Sequence, residues 1–345
     1  MNANATPFIS VIILDYNDLR WLPRLLDSLL PQLAPCRAEV LLVDNGSSDS
    51  SAAFVRERYP EVDVITVKQN RGPAAGINRG LDRARGQWIF VLNSDLEFPP
   101  GSVAALMTAA QGQPSLGLAS PLLIDDDGAP ALTYGDEPNE WLWLERLVGL
   151  RLRSRDQTMR EAGVCPTFDG PAVQSVSSLV GACMLVRKDA LDQVGPLDER
   201  FRMYLEDTDW SRRFRLAGWD VAMLRAARVI HSGSKAPTTL NQTLLHQQGR
   251  YFIALDLFAR KHYGRRRTSL LLFVVLLINA RAALSYWVRT HMPRSMPKAI
   301  VVERPNYART LGYYRSMVSL MLWLYKVKGY RDERPRLLKG ALMDS

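Results

Sequence analysis

Glu39 to Asp49 reads EVLLVDNGSSD, an apolar run that passes without transition into short polar side chains. A continuous apolar run, with no alternation of polar residues, belongs to a strand covered on both faces. The same pattern recurs outward from it. Ile9 to Leu14 (ISVIIL) is followed by Asp15-Tyr16-Asn17, and Val62 to Val67 leads to Asn70-Arg71-Gly72. Trp88 to Leu92 (WIFVL) ends in Asn93-Ser94-Asp95. Between these runs, Leu19 to Leu33, Ser51 to Tyr59 and Ala74 to Ala84 carry apolar residues at helical spacing. Strand and helix in alternation predict βαβ units, an α/β fold and a mostly parallel central sheet.

In an open α/β sheet, ligands sit outside the carboxyl ends of the strands. Asp, Asn, Ser and Gly serve any turn or helix cap, but here four successive strand ends carry them. No GxGxxG follows the first strand and no GxxxxGK[ST] occurs, which excludes the dinucleotide fingerprint and the P-loop. A site built on acids meets a phosphate through a bridging divalent cation, because carboxylate and phosphate repel each other. Asp95, directly after WIFVL, is placed for that task.

Composition narrows the class. Three cysteines, Cys36, Cys165 and Cys183, form no CxxC pair, which argues against a disulfide framework and a thiolate zinc site. Met1 to Pro7 has no basic stretch leading into an apolar run, so a cytosolic chain is expected. The net charge of +9 is unevenly spread. Residues 1–240 hold 25 Lys+Arg against 30 Asp+Glu, and residues 241–345 hold 19 against 5. A basic tail faces something anionic.

That tail also contains Leu270 to Val288, with Asn279, Arg281 and Ser285 as its clearly polar residues, and a second apolar stretch from Met317 to Tyr325. Apolar helices fringed by Arg265, Arg266, Arg267 and Arg289 suit an anionic lipid surface better than a nucleic-acid backbone. As a helix Leu270 to Val288 would reach about 28 Å, near the thickness of a bilayer core. Arg281 inside it favours a helix lying in the interface over a span. Two ordinary core helices are the alternative. Residues 1–240 are expected to form the catalytic domain, with halves at 1–120 and 121–240, and residues 241–345 a membrane-associating helical tail.

The ordered set DYN, VDNGSSD, NRGPAAGINRG and LNSD resembles the signatures of family 2 inverting glycosyltransferases of GT-A fold. It is closest in look to bacterial rhamnosyltransferases of surface polysaccharide synthesis. The likeness continues at Gly181-Ala182-Cys183-Met184 and at FRMYLEDTD (Phe201 to Asp209), and ends with Ala217-Gly218-Trp219 and His231. Leu14 departs from the small or hydroxylated residue frequent at its place.

The resemblance implies roles residue by residue. Tyr16, Asn17, Asp44, Asn45, Ser47, Asn70, Gly72 and Asn78 would contact the nucleotide and sugar of the donor. Asn93 and Ser94 would join them, with Asn93 standing where the family has the first acid of its metal motif. Asp95 and His231 would hold Mg²⁺ or Mn²⁺; imidazole favours manganese. Asp207 of the Glu206-Asp207 pair would be the base, with Asp209 orienting the acceptor, and Gly181, Ala182 and Trp210 lining its pocket. The implied reaction moves a sugar, possibly rhamnose, from a dTDP- or UDP-sugar to a saccharide or polyprenyl-linked glycan. It would occur at the cytoplasmic face of the plasma membrane.

An inverting displacement requires this chemistry. The acceptor hydroxyl has a pKa far above 7, so a carboxylate must take its proton during attack. One base and one cation suffice, whereas a glycosidase needs two flanking carboxylates. Three other readings stay open: a sugar nucleotidyltransferase, an inactive sugar- or membrane-binding scaffold, and nucleic-acid binding by the tail. The first is disfavoured by the absence of glycine in DYNDLRW, and the second by the intact Asp44, Asp95, Asp207 and His231.

Overall fold

The computed structural model describes residues 8–139, 168–232 and 242–291. The chain divides into two compact units, Met1–Glu137 with Ser154–Pro237, and Pro138–Arg153 with Thr238–Ser345.

In the first unit the expected alternation opens the fold: β1 (Ile9–Asp15), α1 (Leu22–Leu33), β2 (Ala38–Asp44), α2 (Ser51–Arg58), β3 (Val62–Thr66), α3 (Pro73–Leu81) and β4 (Trp88–Asn93). There follow β5 (Leu96–Glu97), α4 (Ser102–Gln111), β6 (Leu116–Ile124), β7 (Tyr134–Gly135), β8 (Val173–Ser175), β9 (Ser178–Leu179) and β10 (Cys183–Arg187). The unit closes with α5 (Lys188–Val194), α6 (Glu206–Leu216) and β11 (Asp220–His231).

Among the described residues nine strands form the main sheet, in the order β3-β2-β1-β4-β10-β6-β11-β5 with β8 alongside β11. Both faces are buried, as the unbroken apolar strands require. Ile9, Val11 and Ile13 of β1 pack in one core with the leucines of α1, whereas Ile12 packs in the other with Ala74 and Ile77 of α3. The period of two along the strand assigns alternate residues to the two cores.

The sheet is mixed. β10 runs antiparallel to both β4 and β6, while β6 and β11 are parallel. The carboxyl end of β6 and the start of β10 lie at the same edge of the sheet, as antiparallel pairing requires. β11 bulges between Leu224 and Arg228, opposite Pro121 and Leu122 of β6. Pro121 has no N–H to give the ladder, which fits a break in pairing there.

Following these pairings, β1, β2, β3, β4, β6 and β11 all point one way. Their carboxyl ends, from Asp15 and Asp44 to Asn93 and His231, therefore share one edge with the start of β10. That edge holds the polar strand ends read from the sequence.

In the second unit, α7 (Gln242–His262) and α8 (Gly264–His291) pack as a helical hairpin turning at Gly264, φ +74°. Phe252, Leu255 and Phe258 of α7 are buried, as are Leu271, Leu272, Val274 and Val275 of α8. Among the described residues no helix is long and apolar enough to cross a membrane. The Met317 to Tyr325 stretch and Cys165 lie outside the described residues.

Candidate active site

At the ends of β1 and β2, two loops are stitched together. The Asn17 side-chain carbonyl accepts bonds from the Ser48 and Asp49 amides at 2.7 and 3.2 Å, with Asn17 itself at φ +56°. Ser47 Oγ accepts from the Asn17 amide at 3.0 Å and donates to Asp15 Oδ2 at 3.2 Å. Asp44 Oδ1 accepts from the Ser47 amide at 2.8 Å. Tyr16, 36% exposed, stands outside this knot. Thus Asn17 Oδ1 and Ser47 Oγ serve loop geometry, while the Tyr16 side chain is presented to solvent.

A second brace lies beside it. Asn70 Oδ1 accepts from the Gly72 amide at 2.8 Å and from Asn45 Nδ2 at 3.2 Å. Gly72 adopts φ +99°, and a Cβ there would lie 2.2 Å from the Arg202 carbonyl oxygen. Left-handed backbone and a backbone neighbour both demand glycine. Gly72→Ala is expected to cost about 2–5 kcal/mol, from the left-handed penalty plus overpacking. Chemical denaturation measures it; wild-type stability would mean that the Asn70 loop and the Arg202 segment part freely.

Asn93 and Ser94 follow β4. The Asn93 amide donates to the Ala182 carbonyl at 2.9 Å. Ser94 Oγ donates to Asp18 Oδ2 at 2.7 Å. Asp95 Oδ2 lies 3.4 Å from His231 Nε2, and Asp95 Oδ1 is buried with no hydrogen-bond partner among the described residues. The Ser232 amide donates to the Asp95 carbonyl at 3.0 Å, and His231 pairs with Leu96 across β5 and β11. Arg24 of α1 secures this corner. Its Nη1 donates to Ser232 Oγ at 2.7 Å and to Asp126 Oδ1 at 2.8 Å, and its Nε to Glu97.

Carboxylates crowd the same edge. Asp15 is fully buried, with Oδ1 unpartnered among the described residues, and burial raises it to about 7 against the lowering effect of Ser47; Asp49 and Asp18 push it further up. Burial also raises Asp18, and the charge of Asp95 adds to that. An excess of negative charge beside an orphaned carboxylate oxygen suits a divalent cation with hard oxygen ligands. Among the described residues no cluster of three or more His, Cys, Asp or Glu could hold a metal. Asp95 and His231 would supply two ligands, leaving the rest of the coordination sphere to substrate oxygens and water.

α6 brings the second pair of acids. Tyr204 and Leu205, at φ +71° and +62°, are consecutive left-handed residues just before it. Each costs about 1–2 kcal/mol, strain of the kind that collects where a site fixes its geometry. Asp207 Oδ2 accepts from the Gly181 amide at 2.9 Å, and Oδ1 from the Thr208 amide at 2.7 Å. Glu206 Oε2 is buried with no partner among the described residues. Burial raises both acids, Glu206 to about 8 with a further push from Asp207. The donors around Asp207 favour its ionised form, so of the pair Glu206 keeps the proton and Asp207 carries the charge. Gly181 and Ala182 link the two halves: one amide holds Asp207, and the next carbonyl holds Asn93.

Three residues stand elsewhere than the resemblance implied. Trp210 is fully buried, its Nε1 donating to the Gly195 carbonyl at 3.0 Å and its ring edge-on to Phe214 at 5.5 Å. It packs in the core instead of lining an acceptor pocket. Asp209, also fully buried, accepts from Arg213 Nε at 2.9 Å, and Arg213 in turn binds the Val194 carbonyl. Helical spacing of four residues makes that pair. Asn78 exchanges bonds at 3.0 Å with both backbone groups of Leu197, so its amide is a structural clamp. Conversely, Asp18 and Arg24 belong to the site region but were not marked as candidates. Their contacts with Ser94 and Ser232 span 76 and 208 residues, beyond the reach of any local pattern.

Comparison with known proteins places the chain in a family. Residues 10–195 match the family described as Glycosyl transferase family 2. An N-acetylglucosaminyl-diphospho-decaprenol L-rhamnosyltransferase of Mycobacterium tuberculosis is 30% identical over 294 residues, covering 77% of this chain and 88% of the relative. The hexosyltransferase Agl10 of low-salt glycan biosynthesis in Haloferax volcanii is 24% identical, covering 65% and 69%. Among solved structures, the mannosyltransferase PcManGT of Pyrobaculum calidifontis, in complex with GDP-Man and Mn²⁺, superposes with a TM-score of 0.55 at 16% identity. That likeness covers 93% of this chain and 86% of the other and concerns the fold. With more than half of its length in the family match and a GT-A type sheet beneath the site, this chain belongs to glycosyl transferase family 2 and is a glycosyltransferase.

Proposed function

We propose that the protein transfers a sugar, with inversion, from a nucleoside-diphosphate donor to a saccharide carried on a polyprenyl lipid. A deoxyhexose such as rhamnose from dTDP- or UDP-sugar is the favoured donor, since the mycobacterial relative is a rhamnosyltransferase named for a decaprenol-linked substrate. Other relatives are named undecaprenyl-phosphate transferases, which supports a lipid-linked acceptor in cell-surface glycan synthesis. The basic charge of residues 241–345 fits attachment at the anionic cytoplasmic face of the plasma membrane.

The observation that carries the reading is the position of Asp207 at the start of α6, bonded to Gly181 beside the strand edge that ends in Asp95. In it, Asp207 accepts the proton of the acceptor hydroxyl as that oxygen attacks the anomeric carbon. Glu206, retaining its own proton, avoids a second negative charge next to the base. Asp95 and His231 hold Mg²⁺ or Mn²⁺. Bound there, the cation supplies positive charge to the departing diphosphate. Tyr16 and Asp44 flank the nucleotide, and the braces of Asn17, Asn45, Ser47, Asn70 and Gly72 keep that loop in one shape before the donor arrives.

Thermal melting with UDP, GDP, dTDP and CMP, each with Mn²⁺ and Mg²⁺, tests the donor class. A ligand bound to the native state alone at 100 times its Kd stabilises by about 2.7 kcal/mol. The dTDP or UDP arm is expected to shift most, and only with a divalent cation. Incubation with matching nucleotide sugars and lipid-linked acceptors should then release nucleoside diphosphate. Absence of both transfer and donor hydrolysis across the panel would sink the proposal.

A further inference from the structure

α8 carries a row of side chains that the fold leaves open. Leu270, Phe273 and Leu277 are 50%, 45% and 38% exposed, while Leu271, Leu272, Val274 and Val275 between them are buried. Seven large apolar side chains stand exposed among the described residues, and three fall in this row, which makes it a patch and not scatter. Spacings of three and four set them on one stripe of the helix, about 10 Å long at the helical rise.

Arg266, exposed and four residues before Leu270, continues the stripe, and Arg265 and Arg267 beside it are exposed too. α8 contains five arginines and no acidic residue. Charge therefore selects the occupant. A second copy laid on the stripe would bring Arg266 against Arg266 when parallel, or against Arg281 when antiparallel. A nucleic-acid backbone would satisfy the arginines but leave the leucines and Phe273 in water. α8 is not apolar enough to cross a bilayer, but a lipid surface with negative headgroups satisfies both parts.

We propose that this stripe docks the protein on an anionic bilayer. Leu270, Phe273 and Leu277 enter the boundary between headgroups and acyl chains, and Arg265, Arg266 and Arg267 meet the lipid phosphates. The inference gives a specific surface to the membrane attachment proposed above and is independent of the transfer chemistry.

Flotation of the full chain with phosphatidylcholine vesicles, with and without phosphatidylglycerol, tests it. Wild type is expected to float with the anionic vesicles and far less with the neutral ones, an excess that added salt removes. Leu270→Ser/Phe273→Ser/Leu277→Ser should lower the bound fraction by about tenfold or more. Arg266→Glu, which leaves the apolar row intact, should lower it by roughly fivefold or more. Both variants change exposed positions and should keep the wild-type melting temperature, along with transfer to a short-chain, water-soluble acceptor. Wild-type flotation of both variants would overturn the proposal. So would equal binding to neutral vesicles, a shift from dimer to monomer in the variants without change in flotation, or retention on RNA in place of vesicles. Lack of transfer by the wild type would instead count against the enzymatic reading and leave the flotation result standing.

Discussion

Asp207→Asn is expected to lower turnover by about 10²–10⁴-fold, the range for loss of a general base, while donor binding with Mn²⁺ stays at the wild-type level. The amide cannot accept a proton from the acceptor. It also places a donor NH₂ against either the Gly181 amide or Thr208, so a modest drop in melting temperature accompanies the loss. Steady-state rates and nucleotide titration on the same preparation give the comparison. Wild-type turnover would move the role of base to another residue.

Glu206→Gln makes the contrast. Glu206 is neutral at pH 7 because burial carries it to about 8, so glutamine reproduces its charge, and turnover at pH 7 should stay within a few-fold of wild type. The two proteins should diverge above pH 8, where wild type ionises Glu206 beside Asp207 and the variant cannot. The sign for stability follows from the same shift. An acid raised in the folded state stabilises fully below its unfolded value near 4.5 and loses that contribution as pH rises through about 8. Denaturation from pH 5 to 9 should therefore show a steeper decline in wild type than in Glu206→Gln, which keeps only the part owed to Asp15 and the other raised acids. A variant with the wild-type pH profile would remove Glu206 from the mechanism.

Asp95→Asn should separate the cation from the rest of donor binding. Turnover is expected to fall by about 10³-fold, as when one electrostatic stabiliser of a developing charge is removed. The gain in nucleoside-diphosphate affinity on adding Mn²⁺ should vanish. Without metal the variant should be the more stable protein. Asp18, hydrogen-bonded to Ser94, is already raised by burial and by the charge of Asp95, and removing that charge relieves the repulsion. Calorimetric titration of Mn²⁺ with dTDP or UDP reads the first effect, and thermal melting in chelator the second. Unchanged Mn²⁺ dependence would dissociate Asp95 from the metal.

The first four strands and the helices between them were legible to within a few residues. Their signal is local: an unbroken apolar run for a strand buried on both faces, leucines at helical spacing for α1. The mixed character of the second half was not legible. β10 inserts between β4 and β6 through pairings such as Cys183 with Leu92, which join segments far apart in the chain. In the site, the motifs marked the right strand ends but not the division of labour among them. One polar atom of each of Asn17, Asn45 and Asn70 braces the loops, so an amide that reads as a donor contact also serves the fold.

Taken by itself, the amino-acid order determined an α/β sheet with acids at one edge and a basic apolar tail, while Asp207 entered only through the family resemblance. The sheet rests on side-chain type and spacing within short runs, and the tail on composition. Tertiary structure alone decided which polar groups remain open. It sent Trp210 into the core, tied Asn78 to Leu197 across 119 residues, and left Asp95 Oδ1 and Glu206 Oε2 buried without partners among the described residues. Whether a carboxylate is free to bind or already spent depends on what the rest of the chain brings beside it, and those partners arrive from segments that no local pattern connects.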